Sequence, residues 1–142
     1  AAEIAALDAG TVWKRTGQSF KAFVPGQSGG QGTAVCRYYG TSGGALDAHV
    51  FSVNAAECTS YGAAPLAANW VRENASAFEM SLPYSVTGAC AKGTAPVYRV
   101  DNGRADTNPR YTTDLATRDA MLAKGRVIGG SGPRGIGMCA PV

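Results

Sequence analysis

The sequence predicts a β-rich α+β domain built from repeated units, and three observations lead to this prediction. Of the 142 residues, 45% are hydrophobic and 19 are glycine, which is too apolar for a disordered chain and too rich in turns for a helical bundle. Short β-like segments recur in a fixed order, and the same helical pattern follows each pair of them. Four cysteines are available as cross-links. The length suits one domain, so we assign residues 1–142 to a single core.

Two strands open the predicted unit. The first is AVCRYYG at 34–40 and again PVYRVDN at 96–102, each with an arginine after a short β-like run. The second is HVFSVNAAEC at 49–58 and PRYTTDLATR at 109–118, and each copy runs from a strand into a helix cap. We therefore expect two adjacent strands followed by a helix in each copy.

The helix of the unit recurs three times. It reads AAEIAALDAG at 1–10, AAECTSYG at 55–62 and LATRDAMLAKG at 115–125. In the second copy Asn54 precedes the helix and Glu57 follows three residues later, which is close to a capping box. The sequence thus predicts a short helix that begins directly after each second strand.

A third strand is predicted to follow each helix, at 12–20, 69–78 and 126–138. The alignment sets Trp13 and Trp70 at the same position of this strand. The unit is therefore strand, strand, helix, strand. Its copies are predicted as a partial unit at 1–25 and as complete units at 33–82 and 88–142.

The first copy of the unit begins at its helix, because Ala1 aligns with Ala55 and Leu115. We expect the two strands of this copy to be absent and a sheet edge to be left unpaired. Such an edge recruits strands from other chains, which predicts self-association near the amino-terminal helix into an extracellular fibre. The alternative is a truncation whose exposed edge is solvated or covered by the GQSGGQG loop at 26–32.

The cysteines are predicted to pair within units, as Cys36–Cys58 and Cys90–Cys139. This nested arrangement is one of three possible connectivities. No C-x-x-C pair occurs and His49 is the only histidine, so a zinc site would need an unusual ligand set. Disulfides indicate an oxidising compartment, and the absence of an initiator Met suggests a removed export segment. We therefore expect a secreted protein.

Charge and hydropathy argue against several partner classes. The net charge of +3 comes from 13 basic and 10 acidic residues that are scattered rather than clustered, so nucleic acid is not an expected partner. The longest apolar runs are far shorter than the roughly 20 residues that span a bilayer. We expect neither membrane insertion nor a cofactor.

Taken in order, the segments CRYY, HVFSVNAAEC, WVRENASAF, PVYRVDN, RYTTD and GMCAP resemble a secreted bacterial and fungal repeat domain of unknown function. Its signature is a His-Phe-Tyr-Thr strand, a short Glu-Arg helix and a Gly-Trp-x-x-Glu-Gly strand. The chain departs from this signature, with HVFS at 49–52 and PRYT at 109–112. The resemblance implies a fold and an extracellular location rather than a chemistry.

Aromatic side chains are the candidates for ligand binding, because aromatic rings pack on the apolar faces of sugars. The alternatives are that these side chains belong to a repeated core or to a subunit interface. The residues assigned to a ligand surface are Trp13, Tyr39, His49, Trp70 and Tyr111.

His49 also raises the possibility of catalysis, with Asp47 as its partner and the hydroxyl of Ser52 or Thr112 as nucleophile. No G-x-S-x-G motif accompanies it, and a structural histidine is the simpler interpretation. We therefore predict a non-catalytic secreted structural or adhesive module. The alternatives are a module that binds glycans or cell walls and a hydrolase that uses His49.

The arginines of the two first strands suggest a structural ion pair. Arg37 and Arg99 share one position of the unit, and Glu3 and Glu57 share another. We expect an arginine–carboxylate pair beneath each helix, which locks helix to strand. The functional alternative is that exposed arginines hold an anionic ligand.

Overall fold

The structure, a computed structural model, describes residues 2–10, 16–41, 47–104 and 106–142. Strands cover more of the described residues than helices do, and the fold is mixed but β-rich, as predicted. The elements in chain order are α1 (Ala2–Ala9), β1 (Thr33–Gly40), β2 (His49–Ser52), α2 (Ala55–Tyr61), a 3₁₀ turn (Leu66–Ala68), β3 (Trp70–Met80), β4 (Thr94–Asp101), β5 (Arg110–Thr112), α3 (Leu115–Ala123), β6 (Val127–Gly129) and β7 (Ile136–Pro141).

The strands form two antiparallel sheets. In the first sheet β1 lies between β2 and β3. In the second sheet β4 pairs with β5 along one edge, and with β6 and then β7 along the other. A single bridge between Ser81 and Cys139 connects the end of β3 to β7. Each sheet is therefore organised around the strand that the sequence predicts to be the first of its unit.

Each face of the first sheet packs against a different part of the molecule. Side chains of one face gather beneath α2, where the buried residues are Cys36, Tyr38, Ala48, Val50, Tyr61 and Trp70. A second cluster draws on both sheets, with Val35, Val53 and Met80 from the first half and Val97, Met138 and Ala140 from the second. Burial of these side chains holds the two sheets together.

The helices begin where the sequence predicts them. The Asn54 side chain accepts hydrogen bonds from the backbone N–H groups of Ala56 and Glu57, at 2.9 and 3.1 Å. Asp114 caps α3 in the same way, by accepting from the N–H of Ala116 at 2.9 Å. These caps satisfy N–H groups that have no partner inside the helix. None of the described helices is long and apolar enough to cross a membrane.

Both predicted disulfides are confirmed. Cys36 and Cys58 join β1 to α2 with their Cα atoms 6.0 Å apart, and Cys90 and Cys139 join the segment before β4 to β7 at 5.7 Å. Both separations are ordinary for disulfides. The cross-links therefore tie together elements of one half in each case.

The prediction of one continuous strand at 126–138 is wrong. The chain forms β6, turns, and returns as β7, because the intervening residues are rich in glycine. Gly130 has a φ of +92°, and a Cβ there would lie 2.8 Å from the backbone of Ile136. Only glycine fits this close approach of two backbone segments.

The strand predicted at 12–20 is also not observed over its described part, 16–20. Gly17 has a φ of +75°, which is incompatible with an extended strand. The Gln18 side chain instead accepts a hydrogen bond from the hydroxyl of Thr112 at 2.7 Å and donates one to Thr117 at 3.3 Å. The rest of the predicted strand lies outside the described residues.

Candidate functional site

Three of the predicted ligand residues, Tyr39, His49 and Tyr111, come together around β2. In the register of β1 and β2, Tyr39 lies opposite His49, and residues directly opposite each other share a face. Their ring centroids are 5.0 Å apart. Phe51 follows His49 by two residues and continues the row, with its ring 6.2 Å from that of His49. We call Tyr39, His49, Phe51 and Tyr111 the aromatic face.

Tyr111 joins this row from the second sheet. Its ring meets Phe51 edge-on, with centroids 5.9 Å apart. Its hydroxyl accepts a hydrogen bond from the Phe51 N–H at 2.9 Å and donates one to the Phe51 carbonyl at 2.8 Å. Burial raises the pKa of Tyr111. The hydroxyl is therefore fixed by the protein, and the ring of Tyr111 packs against the core cluster that joins the two sheets.

Charged side chains surround the exposed end of the aromatic face. The Glu73 carboxylate lies 2.7 Å from Arg37 Nε and 3.1 Å from His49 Nε2. Arg37 Nη2 lies 3.0 Å from the same His49 nitrogen, and its guanidinium is 5.8 Å from the ring centre of Phe51. Neutral Nε2 accepts from Arg37, whereas protonated Nε2 donates to Glu73. His49 can thus present either a donor or an acceptor to its surroundings.

Tyr39 is oriented by the segment that precedes β2. Its hydroxyl donates to the carboxylate of Asp47 at 3.2 Å. This hydrogen bond and the charge of Asp47 raise the pKa of Tyr39. The Tyr39 ring is therefore held beside His49 with its hydroxyl directed to one partner.

A cleft of about 220 Å³ adjoins the aromatic face. One part of its lining comes from around β2 and the other from around β5. The charged and aromatic residues of its lining are Asp47, His49, Phe51, Arg110 and Tyr111. The cleft therefore combines aromatic rings with both signs of charge.

The other two predicted ligand residues are not part of this surface. Trp70 is only 5% exposed and packs edge-on against Tyr61, with centroids 5.0 Å apart, in the cluster beneath α2. Trp13 lies outside the described residues. Sequence reasoning in turn missed Glu73, and it missed Phe51 although strand alternation places Phe51 on the same face as His49.

The groups proposed as catalytic partners of His49 are engaged elsewhere. The Ser52 hydroxyl donates to Glu57 at 2.6 Å, and that of Thr112 donates to Gln18. Asp47 accepts from Tyr39. Among the described residues, no hydrogen bond joins His49 to Asp47, Ser52 or Thr112.

A second polar site lies at Arg99 on β4. The guanidinium, whose side chain is 8% exposed, has Nη1 2.7 Å from Glu57 and Nε 3.2 Å from Asp101. Burial lowers the pKa of Arg99, but Tyr111 and the two carboxylates more than reverse this effect and raise the pKa overall. An arginine–carboxylate pair therefore does involve Glu57 of the second helix, but its arginine is Arg99 of the other sheet, whereas Arg37 pairs with Glu73 on β3. The side chain of Glu3 lies outside the described residues.

A cavity of about 470 Å³ opens beside this ion pair. Its lining comes from β2, the start of α2, β4 and the turn between β6 and β7. We call this cavity the Arg99 recess, and its main lining residues are Phe51, Asn54, Glu57, Arg99, Asp101 and Ser131. The sequence indicated the ion pair but gave no signal for the cavity, which depends on the break between β6 and β7.

Comparison with known proteins gives one match. A family model with the description "Domain of unknown function (DUF5648)" matches residues 1–128. No curated protein and no solved structure matches the chain. Within the described ranges, no cluster of three or more His, Cys, Asp or Glu side chains is arranged to hold a metal ion.

Proposed function

The chain belongs to the DUF5648 family, whose description assigns no activity, and from this premise we propose that it is a non-catalytic adhesive module that binds carbohydrate on its aromatic face. One observation carries this proposal: Tyr39, His49 and Phe51 form a continuous row that is bordered by Arg37 and Glu73. Aromatic rings suit the C–H groups of a sugar ring, and the charged groups beside them suit its hydroxyls.

The chemistry of the site suits a sugar better than an apolar ligand. Aromatic rings contact the C–H groups of a sugar ring, and carboxylate and guanidinium groups exchange hydrogen bonds with its hydroxyls. The cleft of about 220 Å³ is smaller than the roughly 300–1,000 Å³ of typical small-molecule sites. We therefore expect the cleft to hold one sugar residue of a longer chain.

An adhesive role is supported by how the polar groups are used. His49 has Arg37 and Glu73 as its neighbours, and the nearby hydroxyl of Tyr39 is committed to Asp47. These contacts hold the side chains in fixed orientations, which favours recognition of a ligand. Two disulfides further support the proposal that the protein works outside the cell, because such bonds persist in oxidising compartments.

The test is a binding measurement with a panel of glycans, followed by calorimetry on the glycans that bind. We expect Tyr39→Ala to weaken binding about tenfold or more, as truncation of a central aromatic contact does. Tyr84→Ala is the matched control, because Tyr84 is 61% exposed in the loop between β3 and β4. Equal binding by the wild type and Tyr39→Ala, or no binding to any glycan, contradicts the proposal.

A hydrolase that uses His49 is a separable alternative. It requires turnover of a substrate by the wild type that His49→Ala abolishes even at glycan concentrations that saturate binding. Release of reducing ends from the glycans that bind measures this directly. The arrangement of Ser52 and Thr112 does not favour it, since both hydroxyls have other partners.

Self-assembly is a second candidate function. Among the described strands, β2 and β3 form the two edges of the first sheet, and Val71 on β3 is 53% exposed. Exposed strand edges pair with strands of other chains. Ile4 on the α1 helix is a further exposed apolar side chain, at 50%. Light scattering over a range of concentrations tests this candidate, and a monomer at every concentration contradicts it.

We also infer that the two sheets are copies of one unit. In each sheet the central strand pairs with the strand that follows it and with strands that follow the helix. Asn54 and Asp114 cap the helices of the two halves in the same way. This similarity supports the inference that a single strand, strand, helix, strand unit was duplicated.

A further inference from the structure

We propose that the Arg99 recess is a second carbohydrate subsite, and that the ligand is a neutral, hydroxyl-rich chain that occupies both the recess and the aromatic face. This inference rests on the proposed function and deepens it by assigning the ligand class. It starts from the position of Phe51, which lines both the recess and the cleft of the aromatic face. Because both cavities adjoin Phe51, we infer that one oligomeric ligand reaches from one to the other.

The charges of the recess favour a neutral ligand. Arg99 contributes one positive charge to the lining, and Glu57 and Asp101 contribute two negative charges. The guanidinium already contacts both carboxylates, at 2.7 and 3.2 Å. The positive charge of Arg99 is therefore already neutralised, and the lining carries a net negative charge. This charge disfavours binding of an anion. A uronate or phosphate group is accordingly the wrong ligand for this cavity.

The remaining polar groups suit hydroxyls. Ser52, Asn54, Ser60 and Ser131 line the recess together with the carboxylates. A hydroxyl both donates and accepts hydrogen bonds, so one hydroxyl can donate to a carboxylate and accept from an amide or guanidinium. A chain that carries several hydroxyls on each residue uses this mixed lining more fully than any singly charged ligand does.

The recess is also preorganised. Glu57 is fixed by Arg99 and by the Ser52 hydroxyl at 2.6 Å, and Asn54 is held by its capping bonds to α2. Gly137 brings the β7 backbone close to Arg99, where an added Cβ would lie 3.2 Å from the Arg99 Cβ. Groups that are already held in place lose little freedom when a ligand binds, which favours affinity.

The experiment fills the recess without touching its ion pair. Ala56 is exposed on α2 and lines the recess, so Ala56→Leu places a larger helix-compatible side chain there. Ala55→Leu is the matched control, because Ala55 is exposed on the same turn but does not line the recess. Each protein is titrated calorimetrically with neutral gluco-, xylo- and manno-oligosaccharides of one to six residues and with oligogalacturonates.

For the wild type and Ala55→Leu, we expect affinity to rise at least about tenfold from the monosaccharide to the longer neutral chains, because linked contacts act together. Ala56→Leu should lose this gain and bind every length as it binds the monosaccharide. An Ala56→Leu protein that retains the full gain, or tighter binding of oligogalacturonates than of neutral chains, overturns the inference.

Tyr39→Ala separates this outcome from failure of the proposed function. If Tyr39→Ala and Ala56→Leu both weaken the binding of the longer oligosaccharides, both proposals stand. If only Tyr39→Ala does, the aromatic face binds glycan and the recess does not. If the wild type binds none of the oligosaccharides, the proposed function fails and the inference fails with it.

Discussion

Two arginines occupy matching positions in the two sheets but lie in different environments. Arg37 in β1 lies opposite Phe51 of the next strand, and Arg99 in β4 lies opposite Tyr111. The Arg37 side chain is 23% exposed, whereas that of Arg99 is 8% exposed. A matching place in the strand order therefore does not decide whether the guanidinium faces solvent or is enclosed.

The difference arises from what packs over each arginine. Glu57, on the helix of the first half, reaches across to Arg99 in the second half, and Asp101 adds a second carboxylate. Arg37 instead shares Glu73 with His49 at the exposed end of the aromatic face. We therefore expect the enclosed arginine to contribute more to stability than the exposed one, which borders the proposed binding surface on the aromatic face.

The sharpest test of this comparison replaces each arginine by methionine. We expect Arg99→Met to lower the free energy of unfolding by about 3–5 kcal/mol, because it leaves the two partly buried carboxylates without their cation. Arg37→Met should cost about 1 kcal/mol or less, since its ion pair is closer to solvent. Urea unfolding at pH 7 measures both. Equal losses from the two variants contradict the distinction.

The disulfides extend the comparison to whole halves. The Cys90–Cys139 bond closes a separation of 49 residues and the Cys36–Cys58 bond one of 22. Replacing each pair by alanine should cost about 4 and about 3 kcal/mol respectively in the chain-entropy model. Urea unfolding without reductant measures both values. A larger loss for the first-half bond would show that strain or packing, rather than loop closure, governs these cross-links.

The helix caps provide a smaller, matched pair of sites. Asn54→Ala should lower the free energy of unfolding by about 1 kcal/mol, because two N–H groups of α2 lose their acceptor. Asn54→Asp is the control, since it keeps an acceptor at the helix start and should remain close to the wild type. Thermal unfolding distinguishes the two. A wild-type midpoint for Asn54→Ala would show that α2 is held by Cys58 and packing alone.

Acid should affect the two caps differently, although the effect on total stability is the smallest of the four. Hydrogen bonds from Thr117 and from the Ala116 N–H lower the pKa of Asp114. Its contribution to stability is therefore complete above the ordinary aspartate pKa of about 3.9 and is lost as pH falls through the lower folded value. Asn54 does not titrate in this range.

Nuclear magnetic resonance checks this prediction at single amides. The Ala116 amide should shift in acid and that of Ala56 should not. Asp114→Asn should remove the shift at Ala116. If the chemical shifts of both amides changed together as pH falls, the cause would be general unfolding rather than loss of one cap.

Local features were the ones that sequence reasoning predicted well. The caps at Asn54 and Asp114, the helices after them and both disulfides depend on residues close in sequence or nested within one half. The strand predicted at 126–138 failed because three glycines and a proline between Gly129 and Ile136 favour a turn over an extended strand. This composition is visible in the sequence, and it is better evidence for a turn than the alignment of the three units is for a continuous strand.

The site was only partly predictable because it depends on which sheet face is covered. Tyr39 and His49 meet through strand register, which alternation can suggest. Trp70 has a similar aromatic character, but its face of β3 is covered by α2, so it became part of the core. Glu73 entered the site through the pairing of β3 with β1, and no local pattern in the sequence reports that pairing.

The double hydrogen bond of Tyr111 to Phe51 has a consequence for how the molecule opens. The Phe51 amide is protected by a side chain of the other sheet rather than by a neighbouring strand. Its hydrogen exchange therefore measures separation of the two sheets, even while β2 stays paired with β1. If that amide exchanges only as slowly as the slowest amides of β4, the two sheets unfold as one cooperative unit. The Tyr111 hydroxyl thus makes one backbone position a natural reporter of whether the two halves can part.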